Sequence, residues 1–195
     1  MKIRIGFFFI LLAVALFITH SLSALASLLA AFLHELGHLL AAHISKVKFR
    51  EIRLTPFGAS LIPSADMGSF SSEIFICAAG PFMNFLCAAI TFFMFSHTNN
   101  FFNLFVLSSL FLGTLNLLPV YEFDGGRILF AAIEGIFSFK SAKSVLSVSS
   151  FMVVFSLWTL SLYFIIKTAA SLSLFVFSCS LFAKLFISNN NQLII

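Results

Sequence analysis

The strongest constraint on this chain is a succession of apolar runs, at roughly residues 5–20, 22–44, 73–95, 101–119, 145–166 and 168–187. A helix rises about 1.5 Å per residue, so about 20 residues cross the hydrocarbon of a bilayer. The first run is short by that measure. Two polar breaks interrupt the series, at about 45–72 and 120–144. A soluble core is ruled out as an alternative, since 61% of the 195 residues are hydrophobic and 9% charged, against about 25% charged in a soluble domain. The expected fold is an all-α polytopic membrane protein of about six transmembrane helices, with residues 1–195 forming a single membrane-embedded domain.

Charge placement gives an orientation. With the N-terminus in the cytoplasm, Lys2, Arg4, Lys46, Lys48, Arg50, Arg53, Arg127, Lys140, Lys143 and Lys184 fall on the cytoplasmic side and only Lys167 falls outside, which satisfies the positive-inside rule. Both termini are therefore expected in the cytoplasm. The net charge of +4 comes from residues flanking apolar runs and speaks for topology, with no nucleic-acid partner. Lys2 and Arg4 lead into an apolar run as in a signal peptide, but no small-residue cleavage site closes it, so an uncleaved first span is expected. Within 45–66, Val47, Phe49, Ile52, Leu54 and Phe57 roughly alternate with polar residues, and Pro56, Gly58 and Pro63 punctuate them. That pattern predicts a short β-hairpin at the cytoplasmic interface. Cys77, Cys87 and Cys179 sit singly in apolar runs, as packing residues rather than thiolate ligands.

The second run contains His34-Glu35-Leu36-Gly37-His38. Residues four apart share one face of a helix, so two imidazoles can meet one ion, with Glu35 in reach of a water on it. Zinc lowers the pKa of such a water to about 7 and polarises a carbonyl. Ionisable groups at membrane depth cost roughly 2.5–3.5 kcal/mol each, and a bound metal compensates.

Two imidazoles and a water leave tetrahedral zinc one ligand short. Asp124 follows the fourth run, on the same side of the membrane as the histidines in this topology. His38 lies eight residues before Lys46, about 12 Å into the membrane, so Asp124 must re-enter to that depth. Pro119, Gly125 and Gly126 permit irregular backbone there. The alternative for Asp124 is an interfacial carboxylate beside Arg127, and spacing gives no reason to exclude Glu122. Asp66 and Glu73 read as solvated boundary residues and His43 as an interfacial one. His20 and His97 fall on the outer side, and the role of Glu134 stays open.

Three stretches then resemble one family: His34-Glu35-Leu36-Gly37-His38, Ala79-Gly80-Pro81-Phe82-Met83-Asn84, and Asn116-Leu117-Leu118-Pro119 leading to Asp124-Gly125-Gly126. In this order, across about 25–130, they are similar to the motifs of the site-2 proteases, intramembrane zinc metalloproteases. The resemblance implies one Zn2+ per chain held by His34, His38 and Asp124, with Glu35 as general base. It favours Asp124 over Glu122. It implies that Asn116 and Asn84 position substrate or stabilise the oxyanion. The family's usual prolines are replaced here by Tyr121 and Glu122. Its larger members carry PDZ or CBS domains, and neither is expected here.

The small build is similar to the bacterial sporulation branch, whose members release a transcription factor from a membrane-bound pro-form. The expected location is accordingly a bacterial cell membrane. The expected partners are a membrane-associated protein substrate and lipid, and the reading leaves room for a regulatory membrane protein. Rival readings are a zinc transporter, though matching broken repeats are not seen, and an inactive relative that only binds membrane proteins, which would not need Glu35.

Overall fold

The helices begin where small polar residues meet apolar runs. The computed structural model describes residues 2–5, 21–47, 49–55, 58–63, 69–95, 99–168 and 172–190. Helix α1 spans Leu22–Ile44 and is capped by Ser21, whose hydroxyl accepts from the Ala24 N–H. Helix α2 spans Phe70–Phe95, and Ser69 Oγ accepts from the Ser72 N–H at 3.2 Å. Helix α3 spans Asn100–Asn116, with Asn99 accepting from the Phe101 N–H. Helices α4 (Asp124–Ile136), α5 (Phe139–Thr168) and α6 (Leu172–Asn190) follow. Ser138 Oγ serves α5 by accepting from the Ser141 N–H at 3.3 Å. In each capped case the side-chain oxygen satisfies an amide that the first helical turn leaves without a partner.

The end of α1 is a two-bond cap. Val47 N–H donates to Ala42 O at 3.0 Å and Lys46 N–H to His43 O at 3.1 Å. The turn places Lys46 at φ 56, where glycine is usual, and Val47 packs on Ala41, Ala42 and Ile76. A left-handed lysine costs about 1–2 kcal/mol. Lys46→Gly is therefore expected to raise the thermal midpoint in detergent by the equivalent of about 1 kcal/mol, and an unchanged or lower midpoint would contradict this cap.

Strand β1 (Lys2–Ile5) pairs in parallel with β2 (Phe49–Thr55), which pairs antiparallel with β3 (Gly58–Pro63). Lys2 stands opposite Glu51 and Ile5 opposite Leu54. Thr55 stands opposite Gly58 and Phe49 opposite Pro63, with an irregularity between Phe49 and Glu51. The order β1-β2-β3 leaves β1 and β3 as edges. Ile5 is thus the end of a strand instead of the start of the first span, and the rest of that span, residues 6–20, lies outside the described residues. The alternation Lys-Ile-Arg-Ile carries the two-residue period of a strand.

The described residues divide into two compact units, Met1–Leu117 and Leu118–Ile195. In the first, α1, α2 and α3 pack on one another and β3 touches α1. The α1 face that packs is built from Ala26, Ala30, His34, Gly37, His38, Ala41 and Ala42, and such small residues let helices approach closely in lipid. At Gly37 an added methyl would stand 2.5 Å from Ala79 O, so α1 and α2 meet backbone to backbone there. Ala26, Ala30 and Phe105 form a core with Leu33, Cys87, Phe101, Leu104 and Leu112 around it. Large apolar side chains point outward, among them Phe32, Phe82 and Phe93, as a lipid-facing surface requires.

In the second unit α5 packs against both α4 and α6. Ser161 and Ser178 are buried where α5 meets α6, their hydroxyls 3.4 Å apart, and each donates to its own helix, Ser161 to Trp158 O and Ser178 to Phe175 O.

Six helices are present among the described residues, and three of them, α1, α2 and residues 139–167 of α5, are long and apolar enough to cross a membrane. Helix α3 and residues 173–185 of α6 are shorter apolar helices. The 17 residues of α3 give about 25 Å of rise, less than the roughly 30 Å of hydrocarbon. The break expected at 120–144 holds a helix, α4, and the start of α5.

Candidate metal centre

The first unit contains a buried imidazole pair. His34 and His38 lie one turn apart on α1 and are 5% and 6% exposed. Their rings meet edge to face, with centroids 4.8 Å apart and an interplanar angle of 85°. The two Nε2 atoms are 3.2 Å apart.

Ring orientation comes from α2. His38 Nδ1 lies 2.7 Å from Ile76 O. A carbonyl only accepts, so Nδ1 carries the hydrogen and Nε2 keeps its lone pair towards His34. Backbone carbonyls commonly orient metal-binding histidines in this way. His34 Nδ1 lies 3.2 Å from Asn84 Nδ2, and Asn84 is fully buried.

Space for both rings comes from Gly80. A methyl built there would overlap His38 Nε2, and would stand 2.5 Å from His38 Cε1 and 2.9 Å from His34 Cε1. Pro81 follows inside the helix and cannot donate to the carbonyl of Cys77.

These residues fit a zinc ion. Nitrogen ligands sit about 2.0–2.1 Å from zinc in a tetrahedral arrangement, which separates two of them by about 3.3 Å, close to the 3.2 Å between the Nε2 atoms. Glu35, beside His34 in the chain, is half-buried on α1.

The remaining carboxylates stand as follows. In the second unit Asp124 is the first residue of α4; the cap position is Phe123 and contributes no side-chain hydrogen bond. Asp124 is half-buried at the positive end of the helix dipole, which favours a carboxylate there by about 0.3–1 kcal/mol. Glu122 forms a surface ion pair with Lys184, 2.8 Å between Nζ and Oε2. Glu73 and Glu134 are half-buried on α2 and α4, and His43 is exposed at the end of α1. His20, Asp66 and His97 lie outside the described residues. Asn116 ends α3, its Nδ2 donating to Leu112 O at 3.0 Å.

The stretch before Asp124 is braced from within the second unit. Ser149 Oγ donates to Pro119 O at 3.0 Å, Tyr121 N–H donates to Ser150 Oγ at 3.1 Å, and Tyr121 OH reaches Lys143 O at 3.4 Å. Burial raises the Tyr121 phenol above its ordinary value, with a hydrogen bond to Ser147 opposing. Gly125 and Gly126, expected to sit in irregular backbone, lie in the first turn of α4. Gly126 lets Val120 fold back on that turn, because a methyl at this position would overlap the Val120 carbonyl.

Sequence reasoning missed Gly80 as ring space, Ile76 O as the partner of His38, and the serines behind Pro119 and Tyr121. Gly80 had a visible sign, its place in the Ala-Gly-Pro element, but nothing in linear spacing says which side chain it faces.

A buried imidazole pair within His-Glu-x-x-His on an apolar helix defines a metallopeptidase type of site, and comparison with known proteins agrees. The model of peptidase family M50 matches residues 22–100 and 94–160. The chain belongs to that family, which the motifs above resemble under the name site-2 proteases, and with its apolar helices it is a membrane protein. It is similar to stage IV sporulation protein FB of Bacillus subtilis, 29% identical over 144 residues, covering 70% of this chain and 49% of that protein. It is also similar to a zinc metalloprotease of Methanocaldococcus jannaschii, 31% identical over 156 residues, covering 74% of this chain and 44% of the relative. The chain thus spans about half the length of the curated relatives it matches. A solved site-2 protease from Methanocaldococcus jannaschii shares the fold, with a TM-score of 0.70 and 22% identity over 99% of this chain and 91% of that one.

Proposed function

We propose that this chain is an intramembrane zinc endopeptidase that hydrolyses a peptide bond in or near a transmembrane segment of a membrane-associated protein. One observation carries the reading: two buried Nε2 atoms 3.2 Å apart, in a chain of family M50.

In this reading His34, His38 and Asp124 hold one Zn2+, a donor set of two imidazoles and a carboxylate of the kind catalytic zinc takes. Zinc would supply a water made acidic enough to ionise near neutral pH, together with polarisation of the scissile carbonyl. Glu35 takes the proton from the attacking water and hands it to the leaving amine. Asn116 positions the substrate or stabilises the oxyanion. For Asn84, full burial against His34 favours action on the ligand over contact with substrate.

A substrate helix must unwind before cleavage, because its own hydrogen bonds shield the amide. The edge strands of the sheet suit this, since an extended segment can add to an open edge. The charge bias supports a cytoplasmic sheet and cytoplasmic termini, and a single membrane-embedded domain in a bacterial cell membrane belongs to the same reading. Similarity to a sporulation protein supports regulated release of a membrane-tethered transcription factor as the task.

The test is cleavage of a membrane-tethered protein substrate in vesicles containing the purified chain. Release of a soluble fragment is expected to stop when zinc is chelated and to return when zinc is restored. Zinc flux across the vesicle wall without cleavage would establish the transporter reading instead.

A further inference from the structure

The hydrogen bonds around the histidines form a chain with a defined direction. As oriented, Asn84 Nδ2 donates to His34 Nδ1 at 3.2 Å, His34 Nε2 donates to His38 Nε2 at 3.2 Å, and His38 Nδ1 donates to Ile76 O at 2.7 Å. This arrangement puts a hydrogen between the two Nε2 atoms, where a shared ion would have to sit. For both Nε2 atoms to ligate, the hydrogen of His34 must be on Nδ1, and the group facing Nδ1 must accept it.

Asn84 carries such an acceptor. Its Oδ1 is fully buried and has no hydrogen-bond partner among the described residues, so it is available to accept. Half a turn of the amide exchanges oxygen and nitrogen at nearly unchanged shape and brings Oδ1 to His34 Nδ1. We infer that Asn84 is a positioning residue for the metal: its carbonyl accepts the His34 Nδ1–H, fixes the tautomer that turns Nε2 to the ion, and does for His34 what the Ile76 carbonyl does for His38. The inference rests on the proposed zinc site and assigns Asn84 to its ligand instead of to substrate.

The test is the zinc affinity of the full chain in detergent, measured by competition with a chelating dye, for wild type, Asn84→Leu and Asn84→Asp. Leucine keeps the branched shape without an acceptor, and aspartate presents only acceptors to the ring. Loss of such an orienting partner typically weakens metal binding by roughly 10–100-fold, which is the loss expected for Asn84→Leu. Asn84→Asp, which keeps an acceptor, is expected to avoid that loss and bind zinc more tightly than Asn84→Leu, and to keep the visible absorption bands of the cobalt-loaded protein. Thermal melts without added metal identify a variant that has simply failed to fold, and the rescue by aspartate then carries the test. Wild-type affinity in Asn84→Leu, or an Asn84→Asp variant as weak as Asn84→Leu, overturns the inference alone. A wild-type chain that binds no zinc overturns the proposed site as well.

Discussion

Glu35→Gln is expected to keep its zinc and to cleave about 10²–10⁴-fold more slowly. Glutamine has the shape of glutamate and leaves His34 and His38 facing each other, so the ligands should hold the ion as before. What it lacks is the basic oxygen that takes a proton from water and passes it to the leaving amine. Glu35 is next to His34 in the chain and half-buried on the same helix, so the proton has little bulk water to go to. The pair of readouts decides the matter. Normal zinc content with a collapsed turnover rate assigns the loss to chemistry, whereas cleavage at the normal rate removes Glu35 from the mechanism.

Gly80→Ala is expected to weaken zinc binding by up to about 100-fold, and to slow cleavage with it. The added methyl would overlap His38 Nε2 and crowd the Cε1 atoms of both rings. Neither ring has an easy retreat, since His38 is tied to Ile76 O and His34 faces Asn84. Moving α1 off α2 would give up the close backbone packing of Gly37 on Ala79. Overpacking of this kind costs about 1–3 kcal/mol, enough to lower zinc affinity by up to about 100-fold if the rings absorb it. A Gly80→Ala protein that binds zinc like wild type would show that the rings do not depend on this space.

The parts legible in the sequence were those governed by short-range periodicity. His34 and His38 are four apart on an apolar run, and helical geometry alone puts them on one face. The helices α1, α2 and α5 announced themselves as long apolar runs with few charges. Less visible was α4: Asp124, Arg127 and Glu134 lower its hydropathy, so it reads as a polar break, although Ile128, Leu129, Ala132 and Ile133 recur with helical spacing. Strand β1 was missed because four residues are too few to stand out beside an apolar run, and its pairing with β2 joins residues 49 apart in sequence, as in Lys2 with Glu51. Spacing alone left Glu122 equivalent to Asp124 and only the family resemblance separated them; in the structure Glu122 pairs with Lys184, a residue on a different helix. Gly80 and Asn84 matter through α1, and contact between helices cannot be read from one helix at a time.

The most direct test of the zinc site is X-ray absorption at the zinc edge on the purified full chain, beside Asp124→Asn. One zinc per chain is predicted, with two imidazole nitrogens at about 2.0–2.1 Å and oxygen completing the shell, and with affinity falling when the Asp124 carboxylate is lost. A chain that retains no zinc, or whose zinc shows fewer than two imidazoles or ignores the change at Asp124, would contradict it.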